Sequence, residues 1–141
     1  MAEKTGSLRI LALTMLVGSI YDWGMGLLIL LTPGFITRLF GLPFPTDLMY
    51  FRAGGMVFIT LPFFYLLAYA NVERNIGVVP AAVLVRSVGF AFFVIHTLFL
   101  GEPPILTLIG FADLAFAIVH YVFLKRSGYG LWQTLLTAGR G

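Results

Sequence analysis

The sequence predicts an all-α fold, a bundle of four membrane-spanning helices, and three observations predict it. Mean hydropathy is +0.98. Charged residues make up only 11% of the chain, where a soluble domain carries about 25% to cover its wet surface. The third observation is a set of four apolar stretches, each near or above the roughly 20 residues that cross a hydrocarbon core of about 30 Å. At 141 residues the chain has room for a single transmembrane domain over residues 1–141. Most of it is suited to lipid rather than to water.

The spans are expected at residues 8–32, 48–70, 77–100 and 104–124. Each one stops where helices stop, at a proline, a glycine or a cluster of polar groups. Pro33-Gly34 closes the first, the run from Asn71 to Asn75 closes the second, and Gly101-Glu102-Pro103-Pro104 separates the third from the fourth. Lys125-Arg126 closes the fourth. The basic start at Lys4 and Arg9 resembles a secretion signal, but the apolar run that follows outlasts the 7–15 residues typical of one and meets no small-x-small cleavage site. A retained helix is expected.

Two further segments read as interfacial. Phe35, Ile36, Leu39 and Phe40 around Arg38 form a short amphipathic turn, and Tyr129, Leu131, Trp132, Leu135 and Leu136 give the tail at residues 127–141 an apolar side suited to headgroup depth. Fourteen Phe, six Tyr and two Trp fit the same setting. Lys and Arg flanking the spans count six on the side of the termini (Lys4, Arg9, Arg74, Lys125, Arg126, Arg140) against Arg38 and Arg52 on the other. By the positive-inside rule both termini are expected in the cytoplasm.

Ionisable residues inside the spans carry the most information. Asp22 lies ten positions before the end of the first span, Arg86 nine into the third and Asp113 nine into the fourth. At about 1.5 Å per residue, all three sit near the bilayer midplane. A lone Asp or Arg there costs about 2.5–3.5 kcal/mol on insertion scales, so such residues turn inward and pair. Small residues share their helix faces: Gly18, Ser19 and Gly26 with Asp22, Ala82 and Gly89 with Arg86, Gly110 and Ala117 with Asp113. The expected pair is Arg86 with Asp113. Asp22 is placed to share the guanidinium or to stay protonated, and Arg52 and His96 extend the group into a polar column of five towards the outer face. One role for it is to fix helix register. The others are a path or binding site for a ligand, and contact with a partner's intramembrane residues.

His120, on the face of Asp113, is expected as an interior polar residue. His96 and His120 differ in depth by about 20 Å, too far apart for two axial ligands of one haem. No metal-ligand spacing, phosphate loop or nucleophile elbow occurs, and cysteine is absent. No metal, cofactor or catalytic residue is therefore expected, with quinone and haem the cofactors that a membrane setting leaves open. The net charge of +3 is too small and scattered for nucleic acid. Gly24, Gly26, Gly54 and Gly55 read as close-packing positions, and Pro62 as a kink that frees a backbone carbonyl near mid-membrane.

The glycines of the first span, the outer turn from Pro33-Gly34-Phe35 to Leu42-Pro43, and Arg52-Ala53-Gly54-Gly55 together resemble the bacterial four-helix membrane proteins grouped as DoxX-like. Some members of that group are membrane subunits of quinone-linked oxidoreductases. The resemblance implies an inner-membrane location and transfers no site residue. The expectation is an accessory or scaffolding subunit that contacts the lipid bilayer and either other membrane proteins or copies of itself. The alternative is a carrier or binding protein for a lipid, quinone or proton-coupled solute.

Overall fold

The computed structural model describes residues 2–137. Its elements are α1 (Ala2–Leu31), α2 (Pro33–Leu39), α3 (Leu48–Ala70), α4 (Val78–Phe99), α5 (Ile105–Arg126) and α6 (Leu131–Thr137). No strand occurs among the described residues. Four of the helices, α1, α3, α4 and α5, are long and apolar enough to cross a membrane, so the chain is an integral membrane protein of the all-α class.

The first helix begins earlier than the span boundary at residue 8. Lys4 and Arg9 fall inside a helix of 30 residues, about 45 Å long at helical rise. Its first turns therefore stand beyond the hydrocarbon, where both cations are exposed. At the opposite end Pro33 opens α2 and Asp47 caps α3, its carboxylate accepting from the Met49 and Tyr50 amides at 2.8 and 3.4 Å. After α3, the Asn75 side-chain amide donates to the Leu67 carbonyl at 2.7 Å. That polar group ends the helix as the sequence suggested. Beyond α5, Gly128 takes φ +85°, with amide bonds from Gly128 to Lys125 and from Tyr129 to Leu124. This left-handed glycine turn redirects the chain into α6.

The interfacial turn at residues 35–40 is α2, with Ile36 and Thr37 buried and Phe35 and Leu39 facing outward. The tail contributes α6, which packs on α4 and α5 and leaves Trp132 and Leu136 exposed. Arg140, counted among the flanking cations, lies outside the described residues.

The spans pack as two pairs. α1 lies along α3, α4 lies along α5, and α1 meets α5 to join the pairs. α1 and α4 are diagonal: no Cα of one comes within 8 Å of the other. The α1–α3 crossing is set by Gly26 and Gly55. A Cβ on Gly26 would stand 2.9 Å from the Gly55 carbonyl oxygen, and one on Gly55 would stand 2.9 Å from the Ile29 side chain. Near Pro62 the Trp23 indole N–H of α1 donates to the Ile59 carbonyl at 3.0 Å, and the Ser19 hydroxyl, which donates to Met15 of its own helix at 2.9 Å, lies 3.4 Å from the Pro62 carbonyl. Pro62 is fully buried, so this region is a packed contact.

Two glycines depart from expectation. Gly24 and Gly54 are exposed, and a Cβ on either would meet nothing within 4 Å. Each is displaced by one or two residues from Gly26 or Gly55, and at about 100° per residue that turns it off the crossing face. Gly26→Ala is expected to lower the unfolding temperature in detergent, at a cost of about 1–3 kcal/mol. Gly24→Ala is expected to leave that temperature unchanged, and circular dichroism melts of the two variants make the comparison.

Candidate functional site

The centre of the bundle is an intramembrane charge triad. Arg86 of α4 donates through Nη1 to Asp113 Oδ1 of α5 at 2.5 Å and through Nη2 to Asp22 Oδ2 of α1 at 2.9 Å. Relative exposures are 3% for Arg86, 2% for Asp22 and 8% for Asp113. Asp113 is a neighbour within the α4–α5 pair. Asp22 is not: it sits on the diagonal helix, and only a side chain as long as arginine's closes that gap. The planar fork also matters, because it offers one nitrogen to each carboxylate at a fixed angle.

Room for the triad comes from two glycines. Gly18, four residues before Asp22, lies under the guanidinium, where an added Cβ would stand 3.3 Å from Nη2. Gly89, three residues after Arg86, lies against the other carboxylate, where a Cβ would stand 2.6 Å from Asp113 Oδ2. The small residues beside each charge are thus contact positions of the polar groups themselves.

Three aromatic rings close the site. The Arg86 guanidinium carbon lies 4.6 Å from the Phe116 centroid, 5.5 Å from Tyr65 and 5.8 Å from Tyr21. Ring faces are electron-rich, and in a desolvated setting each such contact contributes about 0.5–2 kcal/mol. The rings come from α1, α3 and α5, the three spanning helices other than the one that carries Arg86. Sequence reasoning missed the rings, although Tyr21 adjoins Asp22 and Phe116 follows Asp113 by one helical turn. Tyr65 had no such marker, since α3 carries no charge at that depth.

Two members of the expected column of five stand apart. Arg52 is exposed near the start of α3, and His96 is half-buried near the end of α4, its Nδ1 2.9 Å from the Phe92 carbonyl of its own helix and its ring 3.9 Å from that of Phe92. The column is therefore a triad. The physical reason is depth: close to a helix end, a long or aromatic polar side chain satisfies itself at the interface or along its own backbone. His120 is fully buried beside Phe116, at a ring-centroid separation of 6.0 Å. The Thr14 backbone approaches its ring, but among the described residues neither ring nitrogen has a hydrogen-bond partner. Asp22 Oδ1 and Arg86 Nε are likewise buried without partners.

Among the described residues, no three His, Cys, Asp or Glu side chains converge as a metal site would require. Comparison with known proteins yields nothing to transfer: no family model, no curated protein and no solved structure matches this chain. The site must be read from its own chemistry. That chemistry is a cation held between two anions, closed in by rings.

Arg86→Leu is expected to cost about 3–5 kcal/mol, because two buried carboxylates lose the ion-pair partner they share. Gly89→Ala is expected to destabilise by displacing Asp113, and to do so far less in an Asp113→Ala background. Denaturation in mixed detergent measures both; additive losses in the double variant would contradict the contact.

Proposed function

We propose that this protein is an accessory or scaffolding subunit that packs against a larger membrane complex. One observation carries the reading, the division between inside and outside. The triad is sealed by Tyr21, Tyr65 and Phe116, whereas Gly24 and Gly54 leave bare backbone on outward faces. Between helices in lipid, where burial of apolar surface offers no gain, close approach over small residues is the main source of attraction. Glycine there has no use inside this bundle. It suits a helix belonging to another protein or to a second copy.

The same reading sets the α6 end at the cytoplasmic face of a bacterial inner membrane. That end carries Lys4, Arg9, Arg74, Lys125 and Arg126, while the α2 end carries Arg38 and Arg52. The asymmetry follows the positive-inside rule. The DoxX-like resemblance supports both the location and the subunit role.

A second reading, a carrier or binding protein for a lipid, quinone or proton-coupled solute, has one observation in its favour. Asp22 Oδ1 and Arg86 Nε are polar atoms in the bundle interior with unused hydrogen-bonding capacity, and such atoms in a membrane mark ion and solute pathways.

Gentle solubilisation and native mass spectrometry are expected to show the protein joined to other membrane proteins or to itself. Gly24→Leu and Gly54→Leu are expected to release the partner while the unfolding temperature holds. A monodisperse monomer before and after substitution would end the subunit reading. Asp22→Asn separates the two readings: a carrier loses solute uptake in proteoliposomes while keeping its assembly, and a subunit loses its assembly.

A further inference from the structure

The α6 end of the bundle holds a cavity of about 910 Å³ between the α3–α4 turn and α6. This falls within the range of small-molecule sites. Its lining includes Arg74, Tyr129, Gln133, Thr134 and Thr137. Lys4 borders it, its Nζ standing 5.3 Å from the Tyr129 ring centroid.

The cations around this cavity form no ion pair among the described residues. Both ion pairs found among the described residues belong to Arg86, so Lys4 and Arg74 meet no carboxylate there. Thr134 is a second and independent sign. The residue is 6% exposed and lines the cavity, and its hydroxyl has no hydrogen-bond partner among the described residues. Thr137 differs, since its hydroxyl is committed to the Gln133 carbonyl at 2.7 Å. Thr134 and the exposed Arg74 line the same cavity, and a hydroxyl with a guanidinium is a donor set for a phosphate.

The cavity's place in the membrane identifies the source of that phosphate. It lies where the spans end, next to Trp132 and Leu136, which are 61% and 69% exposed. Tryptophan prefers headgroup depth. Basic pockets at this level, between membrane helices, take the headgroups of anionic lipids. We propose that the cavity between the α3–α4 turn and α6 binds the phosphate of an anionic phospholipid, with Arg74 as its charge partner and Thr134 as a hydrogen-bond donor. The site is independent of the subunit reading and of which leaflet the α6 end faces.

The test uses the full chain in nanodiscs containing phosphatidylglycerol and phosphatidylcholine, followed by native mass spectrometry of the lipids retained. Selective retention of phosphatidylglycerol is expected. Arg74→Ala is expected to weaken it about fivefold, and Thr134→Val, which changes no charge, about tenfold. Neither side chain holds the fold together, so gel filtration should show both variants intact. The double variant Lys125→Ala/Arg126→Ala removes two cations from the same end that do not line the cavity, and is expected to keep the lipid. Equal retention of both lipids would overturn the proposal. So would unchanged retention in Thr134→Val, or a loss in the Lys125/Arg126 variant as large as in Arg74→Ala, since either would mean diffuse attraction. Stabilisation by inorganic phosphate equal to that by phosphatidylglycerol would assign the cavity to a free anion and overturn the lipid assignment.

Discussion

A guanidinium group in the middle of a hydrocarbon slab has one stable arrangement open to it, which is to be neutralised and hydrogen-bonded by the protein around it. Much of this bundle follows from that requirement. Arg86 needs carboxylates at its own depth, and Asp22 and Asp113 supply them from α1 and α5. The carboxylates and the guanidinium need space between close-packed helices, and Gly18 and Gly89 supply it. Donors left over need an electron-rich surface in place of water, and Phe116, Tyr65 and Tyr21 present one. Lysine would not serve. Its ammonium is a compact point charge, without a planar fork to hold two carboxylates at set angles.

The apolar remainder has a different task. Outward residues such as Ile20, Phe63, Val88 and Phe111 are more than half exposed in the isolated chain, and acyl tails are their solvent. Packing inside is tightest towards the α6 end, where Leu11, Met15, Tyr65, Ala68, Val79, Ala82 and Leu124 form the buried cluster. The charge account is consistent with this division. Two carboxylates against one guanidinium give the triad a formal surplus of one negative charge, and most of the cations outside it lie at the α6 end. Charge within the membrane serves cohesion. Charge at its surface serves contact with lipid.

The fold was legible because the signals for it are strong and local. Twenty apolar residues ended by Pro33-Gly34 or Lys125-Arg126 have few alternatives to a spanning helix. The triad was legible for a related reason, since depth counted from a helix end is a real coordinate in a membrane and charges at equal depth must find one another. The same counting fails near the ends. Arg52 and His96 lie within reach of the interface or of their own backbone, so equal depth does not force them together. Glycine was the other blind spot. Gly24 and Gly26 are two residues apart and face opposite ways, one towards lipid and one towards α3, and composition does not say which. Tyr65 was hidden in an apolar run with no charge to flag it.

The two bonds of Arg86 differ in what they resist. That to Asp113 lies within the α4–α5 pair, between helices in contact along their length. That to Asp22 crosses from one pair to the other, between helices whose backbones do not meet. If the pairs moved as bodies, the first bond would survive and the second would have to break, exposing a carboxylate to hydrocarbon. The α1–α5 contact and the Asp22–Arg86 bond therefore hold the halves in one arrangement. A bundle fixed in this way presents constant outer faces and constant ends to its surroundings. Recognition by lipid or by a neighbouring helix depends on such constancy, because a surface that need not be ordered on binding loses less entropy when it binds.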